Sequence, residues 1–135
     1  MTSYQFHPGL STGQALTITT CVMSTGNGGS GVLSPGATSA AVVLAGRLDA
    51  VEAPAVRAEL TRIQLAGVGT IVVDLAAVTF IDSAGLAALV RGRREAQRVG
   101  GDVILISPSD RNALRVFQLT QFDEVFQMVG SRADA

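Results

Sequence analysis

The segment Thr70-Ile-Val-Val-Asp-Leu-Ala-Ala-Val-Thr-Phe-Ile-Asp-Ser-Ala-Gly-Leu86 places a strand signal directly before a helix signal. Thr70-Ile-Val-Val-Asp74 is a β-branched run and reads as a strand, with Asp74 at its end where a turn accounts for it. The apolar run that follows stops abruptly at Asp82 and Ser83, two residues favoured at helix N-caps. From Ser83 to about Val99, the residues Leu86, Leu89, Val90, Ala96 and Val99 fall on one half of a helical circumference. Arg91, Arg94, Glu95 and Arg98 fall on the outer half, and Gly100-Gly101 stops the helix. Val103-Ile-Leu-Ile106 then reads as another strand, completing a β-α-β unit that calls for a right-handed parallel crossover.

Working upstream, Asp49-Ala-Val-Glu52 has capping-box spacing. It precedes a helix in which Val56, Leu60 and Ile63 recur at i, i+4 and i+7, with Arg57, Glu59 and Arg62 pointing elsewhere and an end near Gly67. Ala41-Val-Val-Leu-Ala45 reads as a strand. Residues 14–23 alternate, Leu16, Ile18 and Val22 against Thr17, Thr19 and Cys21, so they read as a half-buried strand antiparallel to it. Residues 24–39 read as a long Gly/Ser-rich loop, and residues 1–13, broken by Pro8, Gly9 and Gly13, as a loose extension. Downstream, Ser109 or Asp110 caps a short helix holding Leu114 and Phe117. Val125-Phe-Gln-Met-Val129 reads as the last strand, and residues 131–135 as a tail. The order β-β-α-β-α-β-α-β over residues 14–130 predicts an α/β domain: a mixed sheet with an antiparallel first hairpin, then parallel units, and helices mainly on one face. Val42-Val-Leu and Val103-Ile-Leu-Ile are apolar toward both faces, so the second face also needs cover. The N-terminal extension, the long loop, a second copy in a homodimer or a lipid-handling partner could supply it.

The composition removes most enzyme classes. One domain is expected from 135 residues, and all ten basic residues are arginines, which excludes lysine bases, Schiff bases and phosphate-gripping lysines. A net charge of −1 gives no basic footprint for nucleic acid or anionic lipid. One Cys and one His cannot build a zinc site, and Cys21 has no internal disulfide partner. The first residues lack the charged-then-apolar layout of a signal peptide, and no apolar stretch reaches the roughly 18 residues of a membrane span. A cytoplasmic protein without metal or cofactor, and without membrane insertion, is the expectation.

Few motifs survive inspection. Gly26-Asn-Gly-Gly-Ser-Gly31 matches a dinucleotide fingerprint, but Val32-Leu-Ser-Pro35 and a strand follow where a helix is required, so it reads as a hairpin tip. His7 lies in the N-terminal extension and there is no G-x-S-x-G elbow, which leaves serine-hydrolase chemistry without a base. Asp82-Ser83-Ala84-Gly85 is the informative block. Capping alone explains Asp82 and Ser83, yet a hydroxyl at a helix N-terminus is also a good seat for a phosphate, because free N–H groups and the macrodipole stabilise an anion there. Phosphorylation would add about −1.5 to −2 of charge beside Asp82.

Three blocks together resemble a STAS domain of the bacterial anti-sigma-factor antagonist type. They are Val42-Val-Leu-Ala-Gly-Arg-Leu-Asp49, Ile71-Val-Val-Asp-Leu with Phe80-Ile-Asp-Ser-Ala-Gly-Leu86, and Arg115-Val-Phe-Gln-Leu-Thr with Val125-Phe126. The resemblance implies a non-enzymatic phospho-switch in transcription regulation of the stress-response kind. Its unphosphorylated form binds a serine-kinase anti-sigma factor and frees the sigma factor, and a PP2C-type phosphatase resets it. It implies Ser83 as phosphoacceptor, and Asp49, Asp82, Ser83, Ala84 and Gly85 as the partner-binding set, Gly85 being the small residue that permits close approach. Ala84 stands where many relatives carry Ser or Thr, Gln121 replaces a common glycine, and loop 24–39 is longer than usual. The alternative from another class is an unphosphorylated STAS structural module of a lipid-transport or signalling assembly.

Overall fold

The structure is a computed structural model and describes residues 2–6, 16–24 and 37–130. The elements are β1 (Thr2–Phe6), β2 (Leu16–Ser24), β3 (Ala37–Leu48), α1 (Ala53–Leu65), β4 (Thr70–Ile81), α2 (Ser83–Arg98), β5 (Asp102–Ile106), α3 (Arg111–Thr120), α4 (Phe122–Val125) and β6 (Gln127–Val129). All six strands form one sheet in sequential order. β1, β2 and β3 pair antiparallel, and β3 through β6 pair parallel. A sequential parallel order with right-handed crossovers sends successive helices to the same face. Burial agrees: Val56, Leu60 and Ile63 of α1, Leu86 and Leu89 of α2 and Phe117 of α3 share one core with Leu16, Ile18, Val42, Leu44, Ile71, Val73 and Leu105 of the strands. No described helix is long and apolar enough to cross a membrane.

Several expectations need correcting. Residues 2–6, read as part of a loose extension, pair with β2 as an edge strand, Tyr4 opposite Cys21. The alternation of apolar and polar residues that marks a half-buried strand is missing there, since Thr-Ser-Tyr-Gln-Phe is mostly polar. A short helix, α4, precedes β6, which starts at Gln127. Val99 lies past the end of α2 and is 75% exposed. His7, residues 25–36 with their glycine motif, and the 131–135 tail lie outside the described residues.

The largest change is β4, which continues seven residues past its expected end at Asp74, to Ile81. Val43 pairs with Asp74 but Ala45 with Ala77, and Gly46 pairs with Val78 but Arg47 with Phe80. Each shift inserts one extra residue into β4, a bulge that resets which face the next side chain meets. Leu75, Val78 and Ile81 therefore all point inward, three apart instead of two. Asp74 marks the first bulge, where its Oδ1 accepts the Ala76 N–H at 2.9 Å. Opposite the second, Gly46 has φ 111°, a backbone state that glycine adopts without steric cost.

Glu59 does not point away from the core, as its charge suggested. It is 2% exposed, one position before Leu60 on the inner arc of α1. The buried Thr20 hydroxyl on the inner face of β2 donates to Glu59 Oε2, and Arg62 donates through Nε at 2.9 Å and Nη2 at 2.7 Å. That hydrogen bonding to Glu59 raises the Arg62 guanidinium above its already high ordinary pKa, against the lowering effect of its own burial. Burying a carboxylate is tolerable only with such partners. On the sheet's other face Ala41, Val72 and Ile106 are 0%, 3% and 2% exposed, so that face too is closed to solvent at its centre.

Candidate functional site

The parallel strands β3 and β4 end side by side, Leu48 opposite Ile81, and the turns that follow them build the site. Asp82 joins those turns. Its backbone N–H donates to the Leu48 carbonyl at 3.3 Å. Its Oδ1 accepts from the Gly85 N–H at 3.0 Å, which caps α2, and its Oδ2 accepts from the Ala50 N–H at 3.2 Å. One carboxylate thus fixes the start of α2 and the loop from β3 to α1 against each other.

Ser83 is the first residue of α2 and is exposed. Neither its hydroxyl nor the N–H groups of Ser83 and Ala84 have a partner among the described residues. These are first-turn donors that a helix leaves unpaired, and they carry the positive end of its dipole. Asp82 and Ser83 therefore divide the two possibilities that the sequence left open: Asp82 does the capping, and the serine hydroxyl stays free.

Gly85 is buried beneath this surface. A Cβ there would lie 2.5 Å from the Leu48 carbonyl oxygen and 2.8 Å from Leu48 Cγ. In the structure it seats α2 on the end of β3, beneath the exposed surface of the turn. Ala84 is half-buried beside Ser83. Asp49 lies in the β3–α1 loop, where its Oδ1 accepts the Val51 and Glu52 N–H groups at 3.1 and 3.2 Å. The Asp49-to-Glu52 half of the expected capping box is present, although the helix itself is bounded at Ala53 after Glu52.

Three neighbours were not singled out from the sequence. Arg47 lies with its guanidinium 4.0 Å from the centre of the Phe80 ring and its Nε 3.8 Å from Asp49 Oδ2. Phe80 is 36% and Val51 65% exposed. The signal for Phe80 was its spacing: with Val78 and Ile81 both inward, a residue between them must face out, but this is visible only once the β4 bulge opposite Gly46 is known. Among the described residues no group of three or more His, Cys, Asp or Glu side chains could hold a metal.

Comparison with known proteins settles the kinship of this arrangement. The STAS domain family model matches residues 34–135. The chain belongs to the STAS domain family. Among solved structures it is similar to an anti-sigma factor antagonist from Mycobacterium paratuberculosis, with TM-score 0.67 and 24% identity over 87% of this chain and 90% of that one, a likeness of fold. It is also similar to the anti-sigma factor antagonist SpoIIAA in its unphosphorylated form, with TM-score 0.61 and 26% identity over 71% and 83%. The Bacillus cell fate determinant SpoIIAA in its phosphorylated form matches with TM-score 0.55 and 26% identity over 72% and 86%. Among curated proteins none matches the chain. In this STAS domain, Asp82-Ser83-Ala84-Gly85 therefore opens α2 at the C-terminal end of the sheet, beside the β3–α1 loop.

Proposed function

We propose that this STAS domain is an anti-sigma-factor antagonist whose binding is switched by phosphorylation of Ser83. In this reading the unphosphorylated form binds a serine-kinase anti-sigma factor in the cytoplasm and releases the sigma factor. Phosphorylation by that kinase ends the interaction, and a PP2C-type phosphatase restores it. The domain acts as a binding partner and a kinase substrate, with no catalysis of its own.

The observation that carries the reading is the free, exposed Ser83 hydroxyl on the first residue of α2, with Asp82 engaged elsewhere. A phosphoryl group there meets the unpaired N–H groups of Ser83 and Ala84, so the fold accepts it without rearrangement. The same group adds about −1.5 to −2 of charge at the start of α2, where Ala50 and Val51 are exposed nearby in the β3–α1 loop and Arg47 is already engaged with Asp49 and Phe80. A dianion at the centre of a desolvated contact is strongly unfavourable unless cations match it. The chain's net charge of −1 would move to roughly −3. Similarity to SpoIIAA, whose structure exists in unphosphorylated and phosphorylated forms, supports the same reading.

The alternative, an unphosphorylated module of a transport or signalling assembly, drew on an uncovered apolar second face. Ala41, Val72 and Ile106 are already buried within the chain, which weakens that motive.

The test is to incubate the protein with each serine-kinase anti-sigma factor encoded in the source genome and ATP, and to locate phosphate by mass spectrometry. A single phosphate on Ser83, absent from Ser83→Ala and removed by a PP2C phosphatase, is the expected result. Stable binding of a kinase with no modification of Ser83 would refute the switch.

A further inference from the structure

We infer that the groove between α1 and α2 is a second contact for the anti-sigma factor, and that it receives an acidic segment of that partner. The segment would place a small aliphatic side chain between the helices and a carboxylate on Arg57 and Arg91. The inference rests on the reading of Ser83 above and extends that surface along α2.

The two helices are pressed together at one point and open at another. At Gly92 an added Cβ would come within 2.6 Å of Leu60 Cδ1, and Gln64 Nε2 donates to the Gly92 carbonyl at 2.9 Å. Toward their N-terminal ends the contact gives way to a groove of about 270 Å³, walled by Ala53 and Pro54 on one side and Ala84 and Ala87 on the other. Arg57 and Arg91 also line it, and a recess of about 60 Å³ continues between them. Alanine side chains leave room for an incoming side chain that larger residues would have filled.

Charge identifies the occupant. Arg47, Arg62, Arg93 and Arg98 each have a carboxylate partner within 4.0 Å. Arg57 and Arg91 are exposed and, like Arg94, Arg111 and Arg115, have no hydrogen-bond or ion-pair partner among the described residues; of these five only Arg57 and Arg91 line the groove. They converge on one groove from opposite helices. Glu95, which lines the recess, is itself paired with Arg98 at 3.8 Å. Two guanidiniums facing an apolar slot match a carboxylate flanked by aliphatic side chains.

The position of the groove also explains the direction of the switch. Ser83, Ala87 and Arg91 follow one another at i, i+4 and i+8 along one face of α2, so the groove begins at the neighbour of Ser83 and ends about 12 Å along the axis. The carboxylate held by Arg57 and Arg91 lies about 12 Å along the axis from Ser83, roughly one and a half Debye lengths at physiological salt, so a phosphate there repels mainly the near end of the segment, beside Ala84. A basic segment would be repelled by Arg57 and Arg91 and drawn in by the phosphate, the opposite of release.

The experiment measures affinity between the unphosphorylated protein and the purified anti-sigma factor that phosphorylates it, at low and high salt. Arg57→Glu/Arg91→Glu is expected to weaken binding by about 30-fold or more at low salt and to flatten the salt dependence. Arg94→Glu/Arg98→Glu makes the same charge change outside the groove and is expected to stay within about threefold of the original. Ala87→Gln, at an exposed helix position, fills the slot without altering charge and is expected to weaken binding about tenfold. If both groove variants bind like the original while Ser83→Asp still abolishes binding, the groove inference falls and the Ser83 reading stands. If no serine-kinase anti-sigma factor binds the unaltered protein, both fall.

Discussion

Asp82 is the residue on which the site's geometry depends, and replacing it with alanine measures that dependence. The variant removes an acceptor 3.0 Å from the Gly85 N–H and another 3.2 Å from the Ala50 N–H. Loss of a side-chain N-cap costs about 0.5–2 kcal/mol. Loss of a negative charge at the positive end of a helix of 16 residues adds about 0.3–1 kcal/mol. Ala50 is exposed, so water replaces most of its bond and adds only about 0.5 kcal/mol. The expected total is about 2 kcal/mol, which for a domain of this size lowers the melting temperature by roughly 7 °C. Asp82→Asn keeps an acceptor of nearly equal capping strength and loses only the charge, so it should cost below about 1 kcal/mol. Urea titration followed by circular dichroism, with calorimetry alongside, resolves the two. An alanine variant within about 0.5 kcal/mol of the original would show that Asp82 does not hold the two turns together. An asparagine variant as unstable as the alanine one would show that charge, not cap geometry, is what matters.

Other substitutions test separate parts of the account. Gly85→Ala should gain about 1 kcal/mol in helix propensity, yet lose more through the 2.5 Å approach to the Leu48 carbonyl, for a net loss of about 1–2 kcal/mol by denaturant titration. A neutral or stabilising result would mean that α2 can lift from β3 freely. Gln121, with φ 61°, is the one non-glycine residue in the left-handed region among the described residues, so Gln121→Gly should raise stability by about 0.5–1 kcal/mol. Thr20→Val keeps the shape but takes a donor from buried Glu59, and should destabilise by about 1.5–3 kcal/mol in the same assay.

Much of the fold was legible because its core elements carry strong periodicity. Val56, Leu60 and Ile63 on α1 and Leu86 and Leu89 on α2 are where their spacing put them. The parallel crossovers followed from strands separated by helices. What escaped was structure whose cause is not local. The second half of β4 breaks the two-residue period because bulges opposite β3 shift its register, and the partner strand that creates them is distant in sequence. Asp74 consequently looked like the end of a strand when it sits at a bulge inside one. Glu59 was assigned to the outer face by its charge, although its position in the repeat was inward. Its burial depends on Thr20, 39 residues away. β1 has little apolar pattern of its own and owes its extended form to pairing with β2. In the site, Asp82 and Ser83 were visible as a pair, but only the two acceptor contacts of Asp82 separate the capping residue from the free hydroxyl. Arg47, Phe80 and the α1–α2 groove require the folded chain to be seen at all.

The most direct test compares the affinity of one anti-sigma factor for two forms of this protein, unmodified and phosphorylated on Ser83 alone. Isothermal titration at physiological salt gives both dissociation constants on folded material. Binding of the phosphorylated form is expected to be at least about a hundredfold weaker, equivalent to about 2.7 kcal/mol from a single dianion in the contact. Its melting temperature should be unchanged or slightly raised, since the phosphate meets the free N–H groups of α2. Equal affinity of the two forms would refute the Ser83 switch, as would a phosphorylated form that loses binding only because it has unfolded.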